Sequence, residues 1–499
     1  MRPWLIAAFL FSAAQAQAAG TLRFGLDFDL DTLDPARSGF YTERVVNTAM
    51  CDQLLDIDPQ LHLVPQLATS WEWSADQLAL TLHLRPGVVF QDGAPFDAEA
   101  VRANIERYRT AAYSARRVEL KSLTGVDVVD PLTVRIRLSQ PFAPLPALLA
   151  NRPGLMLSPR ILDQPTEVIA AYPVCAGPFT LVERVAQDHI TLQRFPGYWN
   201  AANVHLDRIE FKIMTDSTVR LVNLQSGQLD VANRLGATDV PAVQADKKLR
   251  VVSSPSIGFE MISFNLGNGP ASDTPFGKDV RVRQAFAKSV DRAGINQVVF
   301  EGRMIPSTQT EPPGSLYWNP AFPVPPRDLA GAKALLGQAG VPHPKVTLSV
   351  VNNPTDVQVG EVIQSMAAEA GFEVTLRKGE SVSQTEAAAR GDYQAYQVIW
   401  SGRPDPDGNL SLWMRCGTSL NWTGWCSKEM EAALDRAAAT SDQAARVTAY
   451  REATDIWMKA MPYMGLYHFT WFWGLDDKVQ GFAPRPDGLV RMVGISMQP

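Results

Sequence analysis

KVTLSVVNNPTDVQVGEVIQSMAAEAGFEVTLRK, residues 345–378, sets the fold class. KVTLSVV reads as a strand, DVQVGEVIQSMAAEA as a helix closed by Gly371, and FEVTLRK as a second strand. Strand, helix, strand is a βαβ unit, so the two strands run parallel across a right-handed crossover. YQAYQVIW (393–400) supplies the next strand. The loop leaving it, WSGRPDPDGNLSLW (400–413), therefore begins at a strand's carboxyl end, where open α/β sheets bind ligands.

The chain on the amino-terminal side alternates between strand and helix signals. TLRFGLD (21–27) has the period of a half-buried strand, and LALTLHL (78–84) puts Leu78, Leu80, Leu82 and Leu84 on one face. Asp97 caps a helix running to about Arg109, with Val101, Ile105 and Tyr108 on one side. LTVRIRL (132–138) is a strand opened by the Asp130-Pro131 turn. Residues 178–194 read as two strands around Gln187-Asp188, Asp216 caps a helix ending near Gly227, and Leu229 to Ala232 form a short strand. MISFNL ends a strand and runs into a Gly/Pro/Ser/Asp-rich stretch, 267–278, which reads as a boundary or hinge. One long helix is expected from about Asp279 to Phe300. Beyond the loop, residues 427–459 read as helical with a second start at Asp442, and 466–482 return to strand-like aromatics.

At 499 residues the chain has room for about three structural units. It opens MRPWLIAAFLFSAAQAQAAG, with a lone Arg2, an apolar run from Leu5 to Ala14 and small residues at Ala16 and Ala18. This is the pattern of a secretory signal peptide over residues 1–19. Ten apolar residues are too few to span about 30 Å of hydrocarbon, so a membrane anchor is the weaker reading. Without Arg2 the net charge moves from −6 to −7. A mildly acidic exported chain argues against nucleic acid and anionic membranes as partners. Four cysteines in such a compartment suggest disulfides. Cys416 and Cys426 close a short loop, and Cys51 could pair with Cys175. The alternative, a zinc site, lacks paired CxxC spacing and clustered histidines.

Catalytic signatures are missing from the sequence. It contains no GxSxG, HExxH, GxxxxGK[ST] or GxGxxG. The histidines His62, His83, His189, His205, His343 and His468 are scattered. Asp405 and Asp407 sit in a PDPDGN turn, where aspartates bond neighbouring backbone amides more readily than they act as an acid/base pair. No cofactor and no metal site are expected.

Landmarks along most of the chain resemble one family. They are LDTLDPARS (30–38), LATSWEWSADQLALTLHLRPGVVFQDGAPFDAEAV (67–101), CAGPFTLVERV (175–185), FPGYWN (195–200), SGQLDVA (226–232), DVRVRQAFAKSVDRAGI (279–295) and WSGRPDPDGN (400–409). In this order they resemble the extracytoplasmic solute-binding proteins of peptide/nickel-type (family 5) ABC importers. The resemblance implies an α/β, two-lobed periplasmic-binding-protein fold of the large, cluster C type, with a ligand cleft between lobes. It divides the chain into lobe one (20–50, 180–262 and 471–499), an extra subdomain on that lobe (51–179) and lobe two (263–470), with crossings near 262 and 470. It implies a bridge between Cys416 and Cys426 behind the loop. It also implies a monomer that delivers a small molecule or peptide to a membrane permease and its ATPase subunits.

The same resemblance places the opening loop in the cleft. In dipeptide-binding relatives an aspartate three residues after the loop tryptophan meets the peptide's ammonium; here that position is Arg403. Where those relatives carry an arginine before a proline to hold the peptide carboxylate, this chain has Asn352-Asn353-Pro354. The sign is reversed at one position and neutral at the other, so an acid-bearing ligand replaces an ordinary dipeptide in the expectation. Arg403 would offer its guanidinium fork to a carboxylate or phosphate, or else brace the loop by pairing with Asp405 or Asp407. Trp400, Asp405, Phe40, Tyr41, Asn353 and Trp422 complete the candidate ligand contacts, whereas Trp471-Phe472-Trp473 reads as core. The ligand classes are a modified or acidic peptide, an opine or sugar-phosphate conjugate, or a metal chelate. The alternatives are a hydrolase on the same fold and a sensory accessory that presents ligand to a receptor.

Overall fold

The computed structural model describes residues 20–498; the expected signal peptide, residues 1–19, lies outside them. Two long strands organise the molecule, Leu249–Phe264 and Tyr463–Asp476. They pair antiparallel from Leu249↔Asp476 to Ser263↔Tyr463, with a register shift between Pro255 and Phe259. On one side Tyr463–Asp476 meets Val231–Ala232, which leads through Thr21–Leu26, Arg208–Ile213 and His189–Arg194 to Phe179–Val185. On the other, Leu249–Phe264 meets Ala395–Trp400, then Lys345–Val351 and Glu373–Gly379. One continuous sheet thus runs through both halves of the molecule.

The βαβ unit is present as read. Lys345–Val351 and Glu373–Gly379 pair parallel in register, joined by the helix Pro354–Ala368. Their strand residues Val346, Leu348 and Val350 are buried against Val359, Ile363 and Ala367 of that helix in one core cluster. Asn353 caps the helix through Oδ1, which accepts from the Asp356 amide at 2.9 Å.

A separate four-stranded sheet, ordered Ala68–Trp73, Ala79–Leu84, Thr133–Leu138, Leu123–Asp130, has its own core. Leu80 and Leu82 are wholly buried there with Val134 and Ile136, and the helix Ala98–Thr110 covers them with Val101, Ile105 and Tyr108. Asp97 caps that helix at the Ala100 amide, 2.9 Å away. Cys51 and Cys175 are bonded, as are Cys416 and Cys426.

Two expectations about elements change. The single helix expected over 279–300 is two, Val280–Ser289 and Arg292–Phe300. Asp291 is the reason: its carboxylate accepts from the Gly294 amide at 3.0 Å and starts a new helix. The strand ending at MISFNL also begins a dozen residues earlier than its sequence pattern, at Leu249. Its first half, LRVVSSPSI, lacks strict alternation because it lies along Tyr463–Asp476 with Val251 and Val252 both half-buried.

Leu348 is wholly buried between helix and sheet, so Leu348→Ala is expected to cost about 2–5 kcal/mol of stability. Chemical denaturation followed by tryptophan fluorescence measures it, and a loss below 1 kcal/mol would contradict the packing described.

Candidate functional site

The loop that follows Ala395–Trp400 is held from several directions. Gly402 has φ +78°, and a Cβ there would lie 2.5 Å from the Ile257 carbonyl group, so the loop's path requires glycine. Asn409 ties the loop together: its Oδ1 accepts from the Arg403 amide at 2.8 Å and from the Trp400 indole at 3.1 Å. Asp405 gives both oxygens to Arg446, at 2.7 and 2.8 Å. Asp407 accepts from the Ser411 hydroxyl at 2.5 Å, and its amide donates to Asp405 Oδ1 at 2.9 Å.

Arg403 is therefore not braced by either aspartate. Its guanidinium lies over the Trp400 ring, 4.2 Å from the centroid, and its Nη1 donates to the Gly402 carbonyl at 2.7 Å. The residue is 8 % exposed, and among the described residues no carboxylate lies within ion-pair distance of it. Burial pushes its pKa well below the ordinary arginine value, and Arg44 and Arg152 push it further down. A guanidinium nevertheless stays charged at neutral pH.

Arg44 arrives from the opposite wall, on the helix Tyr41–Met50. Its Nη1 lies 3.3 Å from Ser401 Oγ, and Arg403 Nη1 lies 3.5 Å from the same oxygen. Two cations from different parts of the chain so converge on one hydroxyl. Arg44 also lacks a carboxylate partner among the described residues, its Nε is buried without an acceptor, and burial lowers its pKa to about 10. Arg152 and Arg116 stand close enough to depress Arg403, but each has its own glutamate: Glu43 for Arg152, and Glu119, at 2.6 Å, for Arg116. Among the described residues Arg44 and Arg403 are left without a carboxylate in ion-pair contact, with Asp487 and Glu43 acting on Arg44 and Glu119 on Arg403 only from a distance. Like charges roughly 5–7 Å apart at an effective dielectric near 20 repel by about 2–3 kcal/mol. An anion between them removes that cost.

Tyr41 continues the wall. It stacks on Trp471 with ring centroids 5.2 Å apart, its hydroxyl donates to the Gly488 carbonyl at 2.5 Å, and Arg234 lies 6.0 Å from its ring. Phe40, 40 % exposed, immediately precedes that helix, and its carbonyl accepts from Arg152.

Three candidate contacts sit elsewhere than expected. Asp405 has its carboxylate occupied by Arg446, so it fixes the loop. Asn353 spends Oδ1 on the helix cap and Nδ2 on Asp356. Trp422 is 6 % exposed, packed against Trp413 and Tyr396 with its indole donating to the Ser419 carbonyl. Of the Trp471-Phe472-Trp473 run, all three are buried, but Trp471 reaches the site through Tyr41. Sequence reasoning missed Arg44, Arg116, Arg152 and Arg234. TERVVNTAM gave no signal for Arg44, because Glu43 stands beside it and Thr42, Asn47 and Thr48 make the helix mixed in polarity.

A sheet that runs through both halves of the molecule, with two arginines converging on one hydroxyl beside it, makes a site suited to an anionic solute. The chain belongs to the bacterial extracellular solute-binding proteins, family 5, whose profile matches residues 62–421. It is 30 % identical over 500 residues to the glutathione-binding protein GsiB of Salmonella paratyphi A, covering 95 % of this chain and 96 % of that one. It is 28 % identical to the Escherichia coli K12 protein of the same name, over 93 % and 94 % of the two chains. Among solved structures it superposes with TM-score 0.85 and 26 % identity on the binding protein AgaA of Agrobacterium tumefaciens R10 in complex with agropinic acid, covering 96 % and 99 %. The Helicobacter pylori protein DppA bound to the peptide STSA superposes equally well at 24 % identity, over 96 % and 98 %. The chain thus has the two-lobed α/β fold of solute-binding components of ABC importers, and no helix among its described residues is long and apolar enough to cross a membrane.

Asp405 and Arg403 separate cleanly by stability. In protein stripped of ligand by unfolding and refolding, Asp405→Ala leaves Arg446 buried and unpaired and is expected to cost about 3–5 kcal/mol. Arg403→Ala removes an uncompensated buried charge together with its stack on Trp400 and is expected to change stability by no more than about 1 kcal/mol. Equal losses in both variants would show that Arg403, too, braces the loop.

Proposed function

We propose that the protein captures an acid-bearing organic solute in the cleft and hands it to a membrane permease, with the solute's carboxylate seated between Arg403 and Arg44. The carrying observation is the pair of uncompensated guanidinium groups aimed at one hydroxyl, Ser401 Oγ, from opposite sides. Bidentate, charge-assisted contact with a carboxylate is what two such groups offer best. Relatives at 30 % and 26 % identity bind glutathione and agropinic acid by name, both acids, which favours an acidic or γ-linked peptide or an opine-like conjugate. The division into lobe one (20–50, 180–262, 471–499), subdomain (51–179) and lobe two (263–470) draws support from the separate core of the four-stranded sheet and from the register break between Pro255 and Phe259.

Closure is the mechanism. Without an anion, approach of Arg44 to Arg403 is opposed by their repulsion, so the open form is favoured. An anion that binds both biases the population toward the closed form by its differential affinity. Contacts such as Ala143 N to Ala438 O (2.8 Å) and Gln77 Nε2 to Ser441 Oγ (3.1 Å) then help join the rims. The solute is released unchanged, and the protein acts in the periplasm as a monomer after loss of residues 1–19.

Native mass spectrometry of protein purified from its own periplasm identifies the bound molecule. It is expected to carry at least one carboxylate or phosphate and to be lost from Arg403→Ala and Arg44→Ala, each weakening binding at least about 30-fold. A neutral molecule, or an acid retained by both variants, would sink the proposal.

A further inference from the structure

A second group of buried polar side chains has the opposite deficit. Glu260, on Leu249–Phe264, is 2 % exposed; its Oε2 accepts from the Tyr467 hydroxyl at 2.5 Å and its Oε1 from Gln397 Nε2 at 2.6 Å. Gln397, also 2 % exposed, has its Oε1 buried without a donor, on the side of the amide that faces the helix Pro354–Ala368 at Gly360. One turn earlier on that helix, Asp356 accepts from Asn353 Nδ2 on Oδ2 alone, and its Oδ1 meets no donor among the described residues. Arg234 is the nearest cation, and its Nη1 is already given to Asp27 at 2.8 Å.

This cluster has more acceptors than donors. Two carboxylates and an orphaned amide oxygen share a tyrosine hydroxyl and two amide groups, while the single guanidinium nearby belongs to another acid. Among the described residues no three acidic, histidine or cysteine side chains converge as a metal ion would need. A primary ammonium, with three donors and one charge, matches the deficit in both number and sign.

We propose that Asp356, Glu260 and the Gln397 carbonyl form the subsite for a protonated amine on the solute, so that the cleft takes a molecule with an acid at one end and a free amine at the other. This deepens, and rests on, the assignment of the acid end to Arg403 and Arg44. Tyr41 and Trp471 connect the two ends: Tyr41 feels both Arg44 and Arg234, and Arg234 in turn feels Asp356. The class so defined is the amino acid-derived acids with an unblocked amine, γ-linked peptides included, and it excludes N-acylated or lactam forms.

The electrostatics agree. Burial raises the Glu260 carboxyl to about 8 and the Asp356 carboxyl to about 6, each further held up or relieved by its neighbours: Asp356 raises Glu260, while Tyr467, Gln397 and Arg234 lower it. Near neutral pH the empty subsite therefore keeps a proton that an arriving ammonium displaces.

The test uses the full mature protein, stripped of ligand, and two series of probes: glutathione and γ-glutamylglycine, and their N-acetyl derivatives. Isothermal titration at pH 7 in buffers of different ionisation enthalpy reads affinity and proton release together. The expected result is at least 30-fold tighter binding of the free amines, with protons released, and loss of both the preference and the release in Glu260→Gln and Asp356→Asn. Arg403→Ala should weaken the two series alike. N-acetyl forms that bind as tightly, or a preference surviving in both variants, would overturn the amine subsite while leaving the acid site in place. Affinity for either series untouched by Arg403→Ala, or no binding by any probe at millimolar concentration, would overturn the acid site with it.

Discussion

Everything in this molecule hangs on the pairing of Leu249–Phe264 with Tyr463–Asp476 and on the place where that pairing slips. Up to Pro255 the two strands align with the strands that lead to Thr21–Leu26; from Phe259 onward Leu249–Phe264 also pairs with Ala395–Trp400, which leads to the βαβ unit. Residues 256–258 between them bond elsewhere: the Ile257 amide donates to the Pro486 carbonyl and the Gly258 amide to the Ser256 hydroxyl. A ladder interrupted over three residues can twist without losing many bonds, while the packed cores on either side cannot. The interruption lies at the seam where Gly402 presses against Ile257. The ligand loop is attached to the joint itself.

That placement makes the electrostatics of the loop a matter of conformation. A guanidinium on a fixed surface would hydrate at no cost. On the proposed closure, Arg403 is brought toward Arg44 and into a dry space. The loop is rigid enough for this to matter. Asp405–Arg446, Asn409 and the Cys416–Cys426 bridge leave Arg403 little freedom to relax away. Glu43 and Glu119 neutralise Arg152 and Arg116, so the field at Ser401 is left to the two arginines that have no acid of their own.

The fold was legible where local pattern and tertiary environment agree. The βαβ unit has apolar residues facing helix and sheet at the expected periods, and the Asp97, Asp216 and Asp442 caps occupy the positions their spacing indicates. It failed where one polar residue had two readings. Asp291 looks like an exposed position in a long helix until its carboxylate is seen to cap the next one. In the site, Arg403 could be picked out because a loop of glycine and proline isolates it. Arg44 and Arg152 could not, since each meets Arg403 only after some 250 to 360 residues of intervening chain fold, and a charge in a helix ordinarily faces solvent. Trp422 was placed less sharply for the converse reason: aromatics clustered around a disulfide pack first against one another.

The two ends of the proposed site are individually unstable solutions, and this gives selectivity a physical form. The end at Arg44 and Arg403 has charge without an ion-paired counter-charge; the end at Glu260, Asp356 and Gln397 has acceptors without donors. A solute that supplies only an acid relieves the first mismatch and seals the second into a drier environment, where an unmet polar group costs about 1–3 kcal/mol. A solute that supplies only an amine does the reverse. Because the closed population depends exponentially on the sum, meeting both ends multiplies the two gains, and meeting one end forfeits part of what it brings. On the proposed reading, discrimination against the wrong molecule comes from the protein's own unsatisfied groups, which only the closed state exposes to one another.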